Sequence, residues 1–152
     1  MSTNIFYLAL PALLVASGVS ATEKPIKIES LPPAVRKTVQ EQAKGATIRG
    51  FSKEIEDGKT FYEAELKING HNKDLLIDPN GAVVEVEEEV ALDSLPAAVQ
   101  DAIQKRAATG QIMVVESVSK NDTIVAYEAK IKTAGKTSEI AVKPDGSPAK
   151  EP

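Results

Sequence analysis

Carboxylates are the residues of this chain whose type and spacing could do chemistry. Five of them crowd one short segment: Glu85, Glu87, Glu88, Glu89 and Asp93. Oxygen ligands suit Ca²⁺, but a tight calcium site needs several carboxylates that converge from a shaped loop. Here Glu85 and Glu87 alternate with Val84 and Val86, which predicts a strand with its valines inward and its glutamates outward. A solvated acidic strand edge is the plainer interpretation, and a weak divalent-cation site at Glu85, Glu87, Glu88 and Glu89 stays open.

Nucleophilic catalysis finds no support in the sequence. The chain has no cysteine, and its single histidine, His71, follows Asn69-Gly70 at a predicted hairpin tip. Serine-x-x-lysine strings begin at Ser117 and at Ser147, but their known catalytic use needs a helix to bring the lysine beneath the serine. The first string lies in strand-like sequence and the second in a proline-flanked tail. We therefore expect no enzyme, no catalytic residue and no cofactor.

The N-terminal segment indicates export. Residues 1–21 carry no charged side chain, are mostly apolar from Ile5 to Val19, and end in Val19-Ser20-Ala21, where small residues suit a signal peptidase. The segment is short and interrupted for a membrane span. It predicts a signal peptide and a periplasmic or secreted protein, with an uncleaved anchor as the alternative. Without cysteine, no disulfide can hold the exported fold.

The rest of the chain repeats itself at an offset of 64 or 65 residues. Leu31-Pro32 and Leu95-Pro96 each open a helix-like segment, and Tyr62-Glu63-Ala64 corresponds to Tyr127-Glu128-Ala129. The repetition divides the mature chain into a polar lead-in, two repeats and a disordered tail: residues 22–29, 30–93, 94–146 and 147–152. Because two prolines lie in residues 147–152, we expect the second repeat to lack its last strand.

Each repeat reads as a helix followed by strands. Apolar residues recur four apart at Leu31, Val35 and Val39, which is typical of a helix with one buried stripe, and Leu95, Val99 and Ile103 form the equivalent stripe. Ser30 and Ser94 are the predicted N-caps. Beyond each helix the period becomes two, which indicates strands joined by tight turns, Asn69-Gly70 among them. The predicted fold is α+β, with two tandem helix-plus-antiparallel-meander repeats, their helices on one face and their sheets separate or joined.

The sheet face away from the helices is the predicted partner-binding surface. Alternation places Tyr62, Ala64 and Leu66 inward, so the side chains between them point outward, where Val83 also lies. Apolar side chains ringed by charges are the composition of a contact patch. The predicted contacts are Phe61, Glu63, Glu65, Lys67 and Leu76.

The charge distribution narrows the class of partner. The chain has a net charge of −4. Residues 22–93 hold ten basic and fifteen acidic side chains, whereas residues 94–152 hold eight basic and seven acidic. Such a chain has no basic footprint for nucleic acid or for a membrane surface. The acidic half could orient a basic protein or peptide, or pair with the other half of a second copy.

These motifs resemble those of the PepSY-like family of small exported bacterial domains, and the tandem arrangement resembles the β-lactamase-inhibitor-protein architecture. The resemblance rests on the Leu-Pro-x-x-Val helix start, the Tyr-Glu-Ala strand and the Asp-Pro-x-Gly turn, and it covers about residues 30–146. It implies a non-enzymatic exported module that binds or restrains other proteins, such as an inhibitor or accessory factor of a peptidase. The family supplies no catalytic residues to carry over.

Overall fold

A computed structural model describes residues 22–56 and 58–149. The predicted signal peptide and the last three residues of the predicted tail lie outside them. Within these ranges the chain forms eight β-strands and two α-helices, in this order: β1 (Thr22–Pro25), α1 (Pro33–Gln42), β2 (Thr47–Glu56), β3 (Lys59–Ile68), β4 (His71–Ile77), β5 (Val83–Glu89), α2 (Ala97–Ala107), β6 (Gln111–Lys120), β7 (Thr123–Thr133) and β8 (Lys136–Val142).

All eight strands belong to one antiparallel sheet. Each strand pairs with the strand before it in the chain, so the order across the sheet is β1 to β8. The pairing of β5 with β6 joins the two halves: Val86 lies opposite Ser119, and Glu89 lies opposite Glu116. The hydrogen-bonded ladder is therefore continuous across the whole width of the sheet.

This architecture corrects the predicted organisation. The class α+β broadly fits, but the prediction of two helix-plus-meander repeats is wrong, because the structure is mainly one eight-stranded sheet that carries only two α-helices within the described residues. The sequence patterns specify local hairpins through their turns and alternation. The pairing of β5 with β6, whose residues are about 30 positions apart, leaves no such local signal.

The predicted helix stripes are buried against the sheet. Leu31, Val35 and Val39 pack on the first strands in a cluster completed by four strand residues: Ala64, Leu66, Leu75 and Ile77. Under α2, Leu95, Val99 and Ile103 pack in a second cluster with strand residues that include Val115, Tyr127, Ala129, Ile131, Ile140 and Val142. Burial of each such side chain contributes about 1.5–3 kcal/mol. One side of the sheet thus carries the core of the fold.

The helix starts differ from the prediction. Pro32 and Pro96 occupy the N-cap positions, and neither helix has a side-chain cap. Ser30 and Ser94 instead end short 3₁₀ turns, and the Ser94 hydroxyl donates to the Ala91 carbonyl at 2.7 Å. The predicted serine caps are therefore wrong, because these turns place two further residues between the serine and the helix.

The turn after β4 docks against α1. Gly81 adopts φ +90° and sits so close to the helix that a Cβ there would lie 2.9 Å from the Ala34 carbonyl oxygen. The Thr38 hydroxyl donates to the Gly81 carbonyl at 2.6 Å. The Asn69-Gly70 hairpin also forms as predicted, with φ of 52° and 90°. These turns fix where the strands run relative to the helix.

Both ends of the described chain lie against the sheet. β1, which falls in the predicted polar lead-in, pairs with β2 from Thr22 opposite Ile55 to Pro25 opposite Ser52. At the other end, Pro148 bridges Val142, and the Ala149 amide donates to the Ala141 carbonyl at 3.1 Å. Residues 147–149, where the sequence predicts disorder, thus extend along β8.

Candidate functional site: the carboxylate face

The side of the sheet away from the helices carries a row of acidic side chains on nearly every strand. Because side chains alternate along a strand, the residues next to each helix-facing core position project to this other side. We call this side the carboxylate face, and its acidic members are Glu23, Glu54, Glu56, Glu63, Glu65, Asp74, Glu85, Glu87, Glu89, Glu116, Glu128 and Glu139.

The strand register stacks these carboxylates across the sheet. Glu65 lies opposite Asp74, and Asp74 lies opposite Glu87, on three successive strands. Farther along the sheet, Glu116 lies between Glu89 and Glu128. Directly opposed side chains are close enough to interact, and opposed like charges destabilise a sheet. The face therefore concentrates carboxyl groups, and ionising them together would destabilise the fold.

A groove opens on this face at the end of β3 and β4. Its volume is about 590 Å³, which falls in the range of small ligand sites. Phe61, Leu76, Pro79 and Val84 supply its apolar surface, and its charged rim consists of Lys59, Asp78, Glu85 and Lys120. The groove thus combines an apolar lining with charged groups of both signs.

An ion pair spans one wall of the groove. Lys120 Nζ lies 2.8 Å from Glu85 Oε2, and the Glu85 side chain is only 2% exposed. Burial raises the pKa of Glu85, while the hydrogen bond and the positive charge of Lys120 oppose that rise. This pair links β5 to the end of β6.

Glu54 is a buried carboxyl beside the groove. Its side chain is 0% exposed, and neither carboxylate oxygen has a hydrogen-bond partner among the described residues. Burial, followed by the negative charges of Glu23, Glu56 and Glu85, raises its pKa to about 7. In the register of β2 and β3 it lies directly opposite Phe61, which lines the groove.

Glu63 continues the acidic floor beside the groove. The Ser52 hydroxyl donates to Glu63 Oε2 at 2.9 Å. Burial raises the pKa of Glu63 to about 9, and the charge of Glu54 adds to that rise. A carboxyl with such a pKa holds its proton at neutral pH. Glu63 therefore contributes a neutral, hydrogen-bonded group rather than a free charge.

Burial also raises the pKa values of carboxyls in the middle of the face. Burial, with the charges of Glu116 and Glu65, raises the pKa of Asp74 to about 7, although Arg49 opposes the rise. Burial also places the pKa of Glu87 well above its ordinary value. On β7, burial and a hydrogen bond with Glu139 raise the pKa of Glu128. Burial, with repulsion from neighbouring carboxyls, thus raises pKa values across the face.

The predicted contact residues occupy different environments on this face. Phe61 and Glu65 are half-buried, and Lys67 is exposed, whereas Glu63 and Leu76 are buried. The groove brings Phe61 and Leu76 together. Lys67 lies opposite Asn72, toward the other end of β3. The five residues therefore share one face but form no single patch.

Two predicted orientations in β5 are wrong. Val83 packs with the core cluster under α1, and Val84 lines the groove on the opposite side. The register explains the reversal: Ile77 pairs with Val83 and Leu76 pairs with Glu85, so Val84 is the extra residue of a β-bulge. A bulge shifts the alternation by one position, which a strict period of two does not reveal.

The acidic segment of β5 does not form a metal cage. Glu88 projects to the helix side and lies 3.5 Å from Lys73, whereas Glu85 and Glu87 belong to the carboxylate face. Glu89 accepts a hydrogen bond from the Asn72 amide at 3.0 Å. Across residues 22–56 and 58–149, no group of three or more acidic or histidine side chains is arranged to hold a metal ion. The four predicted ligands do not converge among the described residues, and the weak divalent-cation site stays a prediction.

Sequence reasoning missed several members of the face. Glu54, Asp74, Glu116 and Glu128 were not singled out, although each alternates with an inward-facing residue of its strand. That alternation is the signal that could have found them. Applied to every strand rather than to β3 and β4 alone, it predicts an acidic face across the sheet.

Among residues 22–56 and 58–149, neither α1 nor α2 has the length and hydropathy of a membrane span. No family model matches this chain, and no curated protein matches it.

Solved structures do resemble it. A "putative periplasmic" protein from Bacteroides eggerthii has a TM-score of 0.63 at 20% identity, covering 78% of this chain and 85% of that chain. A DUF2874 family protein from Bacteroides ovatus has a TM-score of 0.60 at 21% identity, covering 80% and 86%. A BLIP-like protein from Bacteroides fragilis has a TM-score of 0.55 at 21% identity, with the same coverage.

These similarities bear on the resemblance inferred from the motifs. At about 20% identity they establish the fold alone, and they agree with a BLIP-like architecture. The PepSY-like name stays a prediction. The predicted periplasmic or secreted location agrees with the description of the Bacteroides eggerthii protein. The chain therefore shares the fold of DUF2874 family and BLIP-like proteins.

Proposed function

We propose that this chain is a non-enzymatic periplasmic module that binds another protein or a peptide through its carboxylate face. The observation that carries the proposal is the groove of about 590 Å³, in which Phe61, Leu76 and Val84 lie beside the Glu85–Lys120 ion pair. An apolar lining with a few placed charged groups is typical of a recognition site.

The two sides of the sheet differ in what packs on them, and this difference supports the proposed function. Both helices and both large core clusters lie on one side. Only a small cluster, formed by Val118, Ala126, Ala141 and Ala149, packs on the other side among the described residues. Among the described residues no helix packs on the carboxylate face, and the groove opens on it.

The placement of the potential catalytic residues supports a non-enzymatic role. The His71 side chain is 66% exposed at a hairpin tip and lies 3.9 Å from Glu89, outside the groove. Ser117 faces the helix side opposite Tyr127, whereas Lys120 reaches Glu85 on the other side. Neither serine–lysine nor serine–histidine chemistry can be assembled from these positions.

The biological form that we propose is an inhibitor or accessory factor of an exported enzyme, such as a peptidase. The BLIP-like architecture of the Bacteroides fragilis protein is compatible with this role. The negative face favours a partner with a basic contact surface, and we propose neither nucleic acid nor a membrane as partner.

The test compares capture of the partner by two serine variants. Phe61→Ser removes a half-buried aromatic ring from the groove, whereas Ile48→Ser removes an apolar side chain, 40% exposed, that lies opposite Leu66 on the helix side. Each variant, immobilised after purification from the periplasm, is exposed to extract of its own cell envelope, and captured proteins are identified by mass spectrometry. We expect a protein that is captured by the wild type and by Ile48→Ser but not by Phe61→Ser. Equal capture by both variants would show that the groove is not the contact.

Leu76 is a poor probe for this purpose, although it lines the groove. Its side chain is 2% exposed, and truncation of a buried leucine costs about 2–5 kcal/mol. A loss of capture in a Leu76 variant would therefore not separate binding from unfolding.

A further inference from the structure

We infer that the groove receives a cationic side chain, an arginine or lysine of the partner protein. Its charge is offset by Glu85, which lines the groove, and by Glu54, which is buried next to the lining opposite Phe61. This inference rests on the proposed function and names the chemistry of the partner at that site. It combines four observations: an unpartnered buried carboxyl, a local excess of negative groups, an apolar lining and the lack of a metal cage.

The unpartnered carboxyl is Glu54. It is fully buried, neither of its oxygens has a hydrogen-bond partner among the described residues, and it faces the groove side of the sheet opposite Phe61. A buried polar group without a partner is costly, and native structures rarely keep one without a reason. A donor that arrives from outside the chain would satisfy it.

The charge balance around Glu54 favours a positively charged donor. Its carboxyl interacts with those of Glu23 on β1, Glu56 on the same strand and Glu85 on β5. Lys120 lies on Glu85, and Lys59 stands on the rim. Even without Glu56, this end of the groove has four carboxyls, on Glu23, Glu54, Asp78 and Glu85, against two lysines. A further cation is therefore electrostatically favoured. A neutral donor would satisfy one oxygen of Glu54 but would not reduce the repulsion among the carboxyls.

The shape of the groove favours a long side chain over a free ion. Metal ions need several ligands that converge on a point, and no such group is present among the described residues. The apolar surface of Phe61, Leu76 and Val84 instead suits the aliphatic stem of arginine or lysine, which packs along apolar surface while its charged end reaches polar groups. The volume of about 590 Å³ leaves room for neighbouring residues of the same loop.

The experiment selects peptides without assuming the partner. A displayed library of random twelve-residue peptides is selected on the protein purified from the periplasm, in about 0.3 M salt to suppress nonspecific charge attraction. Retained peptides are synthesised, and their dissociation constants are measured for the wild type, Glu54→Gln, Phe61→Ser and Glu41→Gln. Glu41→Gln makes the same change in net charge at an exposed position of α1. In each peptide, arginine is also replaced by citrulline, which is neutral and nearly the same shape.

We expect retained peptides to be enriched in arginine or lysine. Glu54→Gln and the citrulline replacement should each weaken binding by about tenfold or more, as loss of a charge-assisted contact does. Glu41→Gln should leave affinity within about twofold. Glu54→Gln keeps the shape of the side chain, and its thermal unfolding is measured first. Should it fail to fold, Glu23→Gln on β1, whose side chain is half-buried, serves as the second variant and should weaken binding severalfold.

The outcomes separate this inference from the proposed function. Peptides without enriched cations, or peptides insensitive to Glu54→Gln and citrulline but lost with Phe61→Ser, would overturn the cationic seat and leave the groove as the binding site. Peptides insensitive to both Glu54→Gln and Phe61→Ser would overturn the groove as well. A library that yields no retained peptide would count against both.

Discussion

The buried carboxyl of Glu54 makes the stability of the fold depend on pH in a way that one substitution should remove. Its pKa is raised to about 7 from an ordinary value of 4.5. Below pH 4.5 the group is protonated in the folded and unfolded states and brings no penalty. As the pH rises toward 7 the unfolded state ionises while the folded state keeps its proton, so the free energy of unfolding falls. Above pH 7 the folded state ionises too, and the loss reaches its limit.

The size of this loss follows from the pKa difference. Each tenfold change in an ionisation constant corresponds to about 1.4 kcal/mol, so the full penalty of Glu54 is about 3 kcal/mol. Part of it is already present at pH 5. Between pH 5 and pH 8 the group should therefore lower the free energy of unfolding by about 2–3 kcal/mol. The free energy of unfolding of a typical domain is only about 5–15 kcal/mol.

The assay is urea unfolding of the wild type and of Glu54→Gln at pH 5 and pH 8. Glutamine has the shape of the protonated carboxyl but cannot ionise, so the variant should gain about 2–3 kcal/mol over the wild type between the two pH values. Glu41→Gln changes a side chain that is 58% exposed. Its free energy of unfolding should differ from that of the wild type by the same small amount at both pH values.

Two results would refute the reasoning. An advantage of Glu54→Gln that is equal at both pH values would mean that the carboxyl ionises as easily in the folded state as in the unfolded one. A variant that is less stable than the wild type at pH 8 would mean that Glu54 has a favourable partner when ionised. Either result would also remove the main support for a cationic seat.

Two further substitutions test the packing around the groove and the helix. Gly81→Ala and Gly70→Ala both place alanine at φ +90°, but only Gly81 lies against the helix. In urea unfolding we expect Gly70→Ala to lose about 1 kcal/mol of stability through strain and Gly81→Ala to lose at least about 1 kcal/mol more. Equal losses would contradict the docking of the turn. Lys120→Met leaves Glu85 buried without its counter-charge. It should destabilise the fold by about 2–4 kcal/mol at pH 8 and by less at pH 5, because the raised pKa of Glu85 favours its neutral form as the pH falls. The exposed Lys136→Met is its control, and an equal loss at both pH values would contradict the role of the ion pair.

The features that the sequence predicted well are those set by neighbouring residues. The stripes of Val35 and Val39 and of Val99 and Ile103 depend only on spacing along one helix, and all four residues are buried. The Asn69-Gly70 hairpin likewise depends on two residues that tolerate positive φ. Local rules of this kind can be read before any partner strand is known.

The features that escaped prediction depend on pairing. β1 was missed because four residues of mixed charge carry no apolar period, and its strand character comes from pairing with β2. The union of β5 with β6 and the bulge at Val84 are likewise properties of the register between strands. The serine caps failed for another reason, since Ser30 and Ser94 belong to 3₁₀ turns that end two residues before the helix.

The candidate site was predicted in part for the same reason. Phe61 and Leu76 were placed on the outer face by alternation within β3 and β4, and they do line one groove. Glu54 comes from β2 and Glu85 from β5, and only the register across four strands brings their carboxyls together. An isolated strand pattern gives the side on which a residue lies but not its neighbours on the next strand.

Binding of a cation at the groove should release protons from the carboxyls beside it. The core under the helices stabilises the fold enough to offset the roughly 3 kcal/mol cost of ionising Glu54. Ionising the neighbouring carboxyls as well would destabilise the fold further. Glu63, with a pKa of about 9, stays protonated at pH 7. A cation seated beside these carboxyls would lower their pKa values, and protons would leave on binding. Calorimetry of a retained cationic peptide at pH 7, in two buffers with different enthalpies of ionisation, should show net proton release for the wild type and less for Glu54→Gln. Proton uptake, or release that is unchanged in the variant, would place the bound cation elsewhere.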